Sequence, residues 1–225
     1  MIILVTDTSG KQGSVALARA HDNPEGVEVI ESSPLTGGTF SAQLVPQIAS
    51  LLEKHRLSKS DLSAFVVVAG PGSFTGLRVG LAAIKALAEI LAKPIVPISL
   101  LEVVALGAGV QGKVLAALNA GRGEFYAGEY EIAGTTARPL REQLLSKDDL
   151  LAEAQGLVIS TPDAALAETA RTSGISVSLI ESISPAMIAG LGVRKLAEGA
   201  TVLPDRLEAN YGRRSDAEIF AKLNS

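Results

Sequence analysis

Residues 65–78 have the sequence Phe65-Val-Val-Val-Ala-Gly-Pro-Gly-Ser-Phe-Thr-Gly-Leu-Arg78. The apolar, β-branched run at 65–69 predicts a buried strand. The Gly-Pro-Gly that follows predicts its end, because glycine permits backbone angles closed to other residues and proline cannot donate a ladder hydrogen bond. Ser73 or Thr75 can cap the next helix, which is predicted to run to about Leu91. Such a junction either cradles an anion or is a tight turn that lets the strand and the helix pack closely.

Composition limits the classes of protein to which the chain can belong. Its 225 residues suffice for one large domain or two small ones, and a hydrophobic content of 47% is ample for a core. The apolar runs fall short of a membrane span and the first strand lacks a basic leader, so a cytoplasmic protein with no membrane segment is expected. The absence of cysteine excludes disulfides and thiolate chemistry. A net charge of −4 argues against a general electrostatic attraction to nucleic acid.

The first half of the chain predicts three strands followed by an alternation of helices and strands. Apolar and alternating character predicts the strands at residues 2–6, 14–19 and 27–32, and a Pro/Gly-rich connection follows at 33–39. A helical period of apolar residues then predicts a helix over 40–56. The central strand and its helix complete a β-β-β-α-β-α series.

A similar series restarts near residue 112. Three further strands are predicted at residues 114–118, 124–132 and 138–141, and alternating helices and strands follow to about residue 198. The repeated series predicts an α/β fold with two related halves. The predicted domains are residues 1–103 and 104–203. A C-terminal helix within 204–225, with Ser215 and Glu218 as a capping box, is predicted to join the first half.

The two helices that flank the central strand are more apolar than solvent-exposed helices usually are. We therefore expect their apolar residues to form a surface for a partner or for a second copy of the chain. The alternative is that both helices are covered internally by the sheet. The predicted partner interface consists of Phe40, Leu44, Val45, Ile48, Leu51, Leu52, Leu77, Gly80, Ala83, Ile84 and Leu87.

Five stretches spread along the chain form an ordered set of motifs. They are Val5-Thr-Asp-Thr-Ser9, Ser14-Val-Ala-Leu17, Gly70-Pro-Gly-Ser-Phe-Thr-Gly-Leu-Arg78, Asn119-Ala-Gly-Arg-Gly-Glu-Phe-Tyr126 and Asn210-Tyr-Gly-Arg-Arg-Ser215. Together they resemble the TsaB (YeaZ) family, the small subunits of the bacterial machinery for tRNA N6-threonylcarbamoyladenosine. The stretch at 70–78 is the longest and the most specific of the five.

The resemblance implies an actin/sugar-kinase/Hsp70-like (ASKHA) fold with two ribonuclease-H-like halves, of which the second is reduced. It implies a non-catalytic scaffold and dimerisation subunit that binds and supports TsaD. TsaD then threonylcarbamoylates adenosine 37 of tRNAs that decode ANN codons. The implied partners are TsaD in a heterodimer, TsaE in a nucleotide-dependent ternary complex, and a second copy when the chain is alone. The tRNA is contacted only indirectly, and ATP or ADP and Mg²⁺ enter only through the partner subunits.

In actin-like ATPases, an acid at the first strand–turn–strand of each half helps to hold the metal and the nucleotide. Asp7 stands at the first strand–turn–strand, where such enzymes have an acid, but Asn119 stands at the equivalent place in the second half. Asparagine lacks the charge that a hard cation prefers, so any nucleotide or anion site is expected to be vestigial. Asp7 has the alternative role of capping its own turn. The residues of this vestigial site are Asp7, Ser9, Ser73, Thr75, Arg78 and Asn119.

Other kinds of active site find little support in the sequence. The P-loop pattern Gly-x4-Gly-Lys-Ser/Thr and the Gly-x-Ser-x-Gly elbow are both absent, and His21 and His55 lie in unrelated elements, so no metal site and no catalytic residue is predicted. Arg122, Arg213 and Arg214 are solvated charges or contacts to RNA or a partner. The alternative function is a stand-alone actin-like nucleotide hydrolase or a glycopeptidase-like enzyme.

Overall fold

A computed structural model describes residues 1–21, 26–36 and 38–212 of the chain. The first half contains β1 (Ile2–Asp7), β2 (Gln12–Ala20), β3 (Val27–Thr36), α1 (Phe40–Lys54), β4 (Leu62–Gly70), α2 (Phe74–Leu91) and β5 (Ile95–Ser99). The remaining helices and strands are α3 (Leu100–Leu106), β6 (Gly112–Gly121), β7 (Glu124–Ala133), β8 (Thr136–Ser146), α4 (Lys147–Glu153), β9 (Val158–Thr161), α5 (Ala164–Thr172), β10 (Ser176–Leu179) and α6 (Pro185–Ala197). Short 3-10 helices lie at Lys59–Asp61 and Pro204–Arg206.

The first sheet has the strand order β3-β2-β1-β4-β5. Strands β1, β2 and β3 form an antiparallel meander, and β4 and β5 add in parallel. The parallel pairing of β1 with β4 brings the carboxyl ends of both strands to the same edge. The turn after Asp7 and the loop after Gly70 are therefore neighbours.

The second sheet repeats this arrangement with its own strands. Its order is β10-β9-β6-β7-β8, so that β6 takes the place of β1, with antiparallel β7 on one side and parallel β9 on the other. The β-β-β-α-β-α repeat and the α/β fold with two ribonuclease-H-like halves are thus confirmed. The second half is the reduced one: β9 and β10 have four residues each, and α5 has 9 residues where α2 has 18.

The chain divides into two compact units, and each unit includes a helix that follows the other unit's sheet in the sequence. Within the described residues, one unit comprises Met1–Ser99 and Ser184–Asn210, and the other comprises Leu100–Ile183 with Tyr211 and Gly212. Helix α3 follows the first sheet but packs on β6, β7, β8 and β9, while α6 follows the second sheet but packs on β1 to β5. The predicted boundaries at 103/104 and 203/204 differ from this division, because the order of elements does not tell which sheet a helix covers.

The core of the first unit lies between the first sheet and helices α1 and α2. Leu4 and Phe65 from the sheet meet Leu44 from α1 and Ile84 from α2 in one cluster. Both helices therefore cover the same face of the sheet. None of the helices within the described residues is both long and apolar enough to cross a membrane.

Two predicted segments need comment, the end of β3 and the C-terminal helix. Strand β3 continues to Thr36, through residues that the sequence places in a connection, because it pairs with β2 as far as Gln12. Residues 213–225, and with them the predicted capping box of Ser215 and Glu218, lie outside the described residues.

Candidate functional site

The turn after β1 is held by the carboxylate of Asp7. One of its oxygens, Oδ1, accepts hydrogen bonds from the backbone N–H of Ser9, at 2.8 Å, and from the Ser9 hydroxyl, at 2.6 Å. Burial raises the pKa of Asp7 above its ordinary value of 3.8, although both bonds from Ser9 act in the opposite direction. The carboxylate therefore forms an Asx turn at a position where its charge is costly.

The start of α2 is bonded directly to this turn. The backbone N–H of Ser73 donates to the carbonyl of Ser9 at 2.6 Å, and the hydroxyl of Thr8 donates to the carbonyl of Gly76 at 2.8 Å. The Ser73 hydroxyl accepts from the N–H of Gly76 at 3.3 Å, so Ser73 is the N-cap of α2 and Thr75 is not. Asp7, Ser9 and Ser73 are thus brought together by these hydrogen bonds.

Three glycines at intervals of four residues, one just before α2 and two within it, pack directly against the turn between β1 and β2. A Cβ added to Gly72 would lie 2.4 Å from the carbonyl oxygen of Ser9, one on Gly76 would lie 2.1 Å from that of Thr8, and one on Gly80 would lie 2.2 Å from the Thr8 hydroxyl. Only glycine allows so close an approach between α2 and the turn. Gly80 therefore packs against its own chain, which corrects its assignment to a partner interface.

Thr75 and Arg78 lie on the exposed side of the α2 start. The Arg78 guanidinium stacks over the ring of Phe74, with its central carbon 3.7 Å from the ring centroid. This contact is a cation–π pair at a helix surface. The hydrogen bonds that connect Asp7, Ser9 and Ser73 are made by those three residues themselves.

Asn119 lies in the other unit, where it forms the equivalent turn at the end of β6. Its Oδ1 accepts from the N–H of Gly121 at 2.8 Å, and its Nδ2 donates to Oδ2 of Asp163 at 2.8 Å. The other oxygen of Asp163 accepts from the N–H of Leu166 at 3.0 Å and caps α5. Burial raises the pKa of Asp163, but the hydrogen bonds from Leu166, Asn119 and Ala165 outweigh it and lower the pKa overall.

Asp163 was missed in the sequence, although an Asp directly before a helical run is an N-cap signal. Its contact with Asn119 spans 44 residues and leaves no local pattern. Arg122 is exposed in the turn that follows Asn119, and Arg213 and Arg214 lie outside the described residues. Within the described ranges, no group of three or more His, Cys, Asp or Glu side chains is placed to hold a metal ion.

Most of the predicted partner interface is instead the core of the first unit. The buried members are Phe40, Leu44, Ile48, Leu51, Leu52, Leu77, Gly80 and Ile84. Leu44, for example, is 1% exposed. The apolar stripe faces the sheet, so the alternative of internal covering is correct for these residues. Val45 is 53% exposed, and Ala83 and Leu87 are half-buried.

A different set of small and apolar residues lies on the side of α1 and α2 that points away from the sheet. Ile90, 79% exposed, and Val45 are its largest members. Their spacing at three and four residues keeps each set on one side of its helix. We call this surface the outer face; it consists of Ala42, Val45 and Ala49 of α1 and Ala82, Ala86 and Ile90 of α2.

Comparison with known proteins places the chain in a family. The family model described as TsaD, tRNA N6-adenosine threonylcarbamoyltransferase, matches residues 34–205. The chain belongs to this family.

Relatives within the family carry the name tRNA threonylcarbamoyladenosine biosynthesis protein TsaB. The Bacillus subtilis protein is 36% identical over 132 residues, which cover 58% of this chain but only 56% of that protein. The Escherichia coli protein is 27% identical over 229 residues and 96% of each chain. The resemblance to TsaB (YeaZ) predicted from the motifs is confirmed.

Solved structures support the fold. YeaZ from Pseudomonas aeruginosa superposes with a TM-score of 0.73 at 21% identity, covering 93% of this chain and 99% of that one. A second structure, described by its similarity to peptidase YeaZ from the same organism, gives the same score at 23% identity. The chain therefore has the fold of YeaZ, as the resemblance predicted.

Proposed function

We propose that the chain is a non-catalytic subunit that binds TsaD and supports the N6-threonylcarbamoylation of adenosine 37 in ANN-decoding tRNAs. The observation that carries the proposal is that Asp7 and Asn119 each accept a hydrogen bond within their own turn. Each forms a turn that is hydrogen-bonded to the start of the helix after the parallel neighbouring strand of its own unit. In actin-like ATPases these turns face the nucleotide. Here the acid of the second half is replaced by the amide of Asn119, whose Nδ2 donates to Asp163.

The proposed binding surface for TsaD is the outer face. Small residues at Ala42, Ala49, Ala82 and Ala86 permit close approach of another pair of helices, and Val45 and Ile90 offer apolar side chains to bury. TsaD is structurally related by family membership, so helices equivalent to α1 and α2 are the natural counterpart. In the absence of TsaD, the same face would pair two copies about a two-fold axis.

The remaining partners follow from the same proposal. TsaE would join the complex of this chain with TsaD in a nucleotide-dependent manner. ATP or ADP and Mg²⁺ would be held by the partner subunits, and the tRNA would be contacted only through the complex.

Nucleotide turnover by the isolated chain tests the non-catalytic role. We expect ATP hydrolysis in the presence of Mg²⁺ to stay at the background rate for the wild type and for Asp7→Ala alike. A rate above background that Asp7→Ala removes would instead support a stand-alone nucleotide hydrolase.

A further inference from the structure

We propose that Asp7 is a positioning residue for partner binding: its carboxylate shapes the turn against which α2 is seated, and it does so as a hydrogen-bond acceptor, without acting as a ligand for a cation or a phosphate. The inference rests on the proposed function, since α2 carries half of the outer face.

The first step links Asp7 to Ser9. Both hydrogen bonds given to Asp7 come from Ser9, one from the backbone and one from the hydroxyl, and both end on Oδ1. They fix the backbone direction at Ser9. Removal of this acceptor frees the carbonyl of Ser9 to move.

The second step links Ser9 to α2. The carbonyl of Ser9 accepts from Ser73, the N-cap of α2, at 2.6 Å, and Thr8 bonds to the first turn of the helix. Because Gly72, Gly76 and Gly80 bring the helix into direct contact with the turn, no layer of side chains can absorb a shift. A displaced turn must therefore move α2, and with it the outer-face residues Ala82, Ala86 and Ile90.

The third step comes from the repeat. Asn119 takes the place of Asp7 in the second unit and accepts a hydrogen bond from the residue two positions on, at the same 2.8 Å distance. The chain itself thus forms this turn with an amide oxygen. Since the burial of Asp7 disfavours its charge, an asparagine at position 7 should form the turn at least as well.

The experiment compares Asp7→Asn with Asp7→Ala. Affinity for purified TsaD is measured by titration calorimetry, and the melting temperature of each variant is measured alone. Asp7→Asn should bind TsaD within about twofold of the wild type and melt at the same temperature or higher. Asp7→Ala should weaken binding about tenfold, or by about 1.4 kcal/mol, because α2 is then no longer held in the position that presents the outer face.

Asp61 supplies a matched control. Like Asp7 it accepts from the backbone and the hydroxyl of one serine, Ser58, each at 2.7 Å, but it lies in the 3-10 helix at Lys59–Asp61. Asp61→Ala should lower the melting temperature and leave the affinity for TsaD unchanged. A general loss of stability would weaken binding in both alanine variants.

Three results would overturn the inference. If Asp7→Asn binds TsaD as poorly as Asp7→Ala while melting like the wild type, the charge is what matters. If Asp7→Ala binds normally, or if Asp61→Ala weakens binding equally, Asp7 does not position α2. Val45→Glu separates these results from a failure of the proposed function: if Val45→Glu also binds normally, the outer face itself is not the TsaD surface.

Discussion

Leu44 and Val45 are neighbours on α1 whose side chains have opposite surroundings, and the sequence assigned both to a partner surface. Leu44 is 1% exposed within the core cluster, whereas Val45 is 53% exposed on the outer face. Substitution of each by glutamate therefore gives a sharp contrast. Leu44→Glu should prevent folding, and Val45→Glu should leave a folded chain that no longer pairs.

The magnitudes follow from burial. Leu44→Glu places an unpaired charge in the core, at a cost of about 3–5 kcal/mol, and removes leucine packing worth about 2–5 kcal/mol more. The sum is comparable to the whole stability of a domain, about 5–15 kcal/mol. Val45→Glu should change the free energy of unfolding by no more than about 0.5 kcal/mol, as is usual for exposed positions.

The effect of Val45→Glu should appear in binding. About half of the valine side chain remains to be buried by a partner, which corresponds to about 1 kcal/mol, since full burial gives about 1.5–3 kcal/mol. An unpaired carboxylate in the interface adds a desolvation cost of at least about 2 kcal/mol. Together they predict that the dissociation constant for TsaD rises by more than about a hundredfold.

The assay combines circular dichroism with light scattering and calorimetric titration. Val45→Glu should show the wild-type spectrum and melting temperature, run as a monomer, and fail to bind TsaD at concentrations where the wild type saturates. The reasoning is refuted if Leu44→Glu folds normally, or if Val45→Glu folds and binds TsaD with unchanged affinity.

Three further predictions concern the turns and caps around the site. Gly80→Ala should lower the free energy of unfolding by about 1–3 kcal/mol despite the better helix propensity of alanine, because the new methyl group meets Thr8, and chemical denaturation will measure it. Asn119→Asp should place a second carboxylate next to that of Asp163, so the stability of the variant should fall as pH rises above about 4. The pKa of Asp163 is lowered in the wild type, so the stability of the wild type should instead fall as pH is lowered. Thermal melts at several pH values will show which of the two dependences each protein has. Ser73→Ala should cost at most about 1 kcal/mol, because its capping bond is long at 3.3 Å, and a melting temperature equal to that of the wild type would show that the cap contributes nothing.

The parts of the fold that depend on local pattern were predictable from the sequence. The strand that ends at Gly70 and a helix that ends at Leu91 follow from a run of apolar residues, a turn and a cap within one stretch, although the sequence left the cap open between Ser73 and Thr75. The repeat of the first half in the second was visible because both halves begin with three strands. Periodicity also located the apolar stripe of α1 correctly.

What periodicity could not give was the direction in which the stripe points. Leu44 and Gly80 are residue types expected at a helix-packing interface with a partner. In the structure, Leu44 packs in the core on the sheet and Gly80 packs against Thr8. The exchange of α3 and α6 between units has no local signal either, since a helix can cover any nearby sheet. The bond from Asn119 to Asp163 joins residues far apart in sequence and becomes visible only when β6 and β9 are paired.

The central claim, that the chain supports an enzyme without being one, is tested most directly by reconstituting tRNA modification from purified components. With TsaD, TsaE, threonylcarbamoyl-adenylate and an ANN-decoding tRNA, the modified adenosine is quantified by mass spectrometry in the presence and absence of this chain. The account predicts that modification requires the chain, fails with Val45→Glu, and is not produced by the chain when TsaD is omitted. Modification at the full rate without the chain, or by the chain without TsaD, would contradict it.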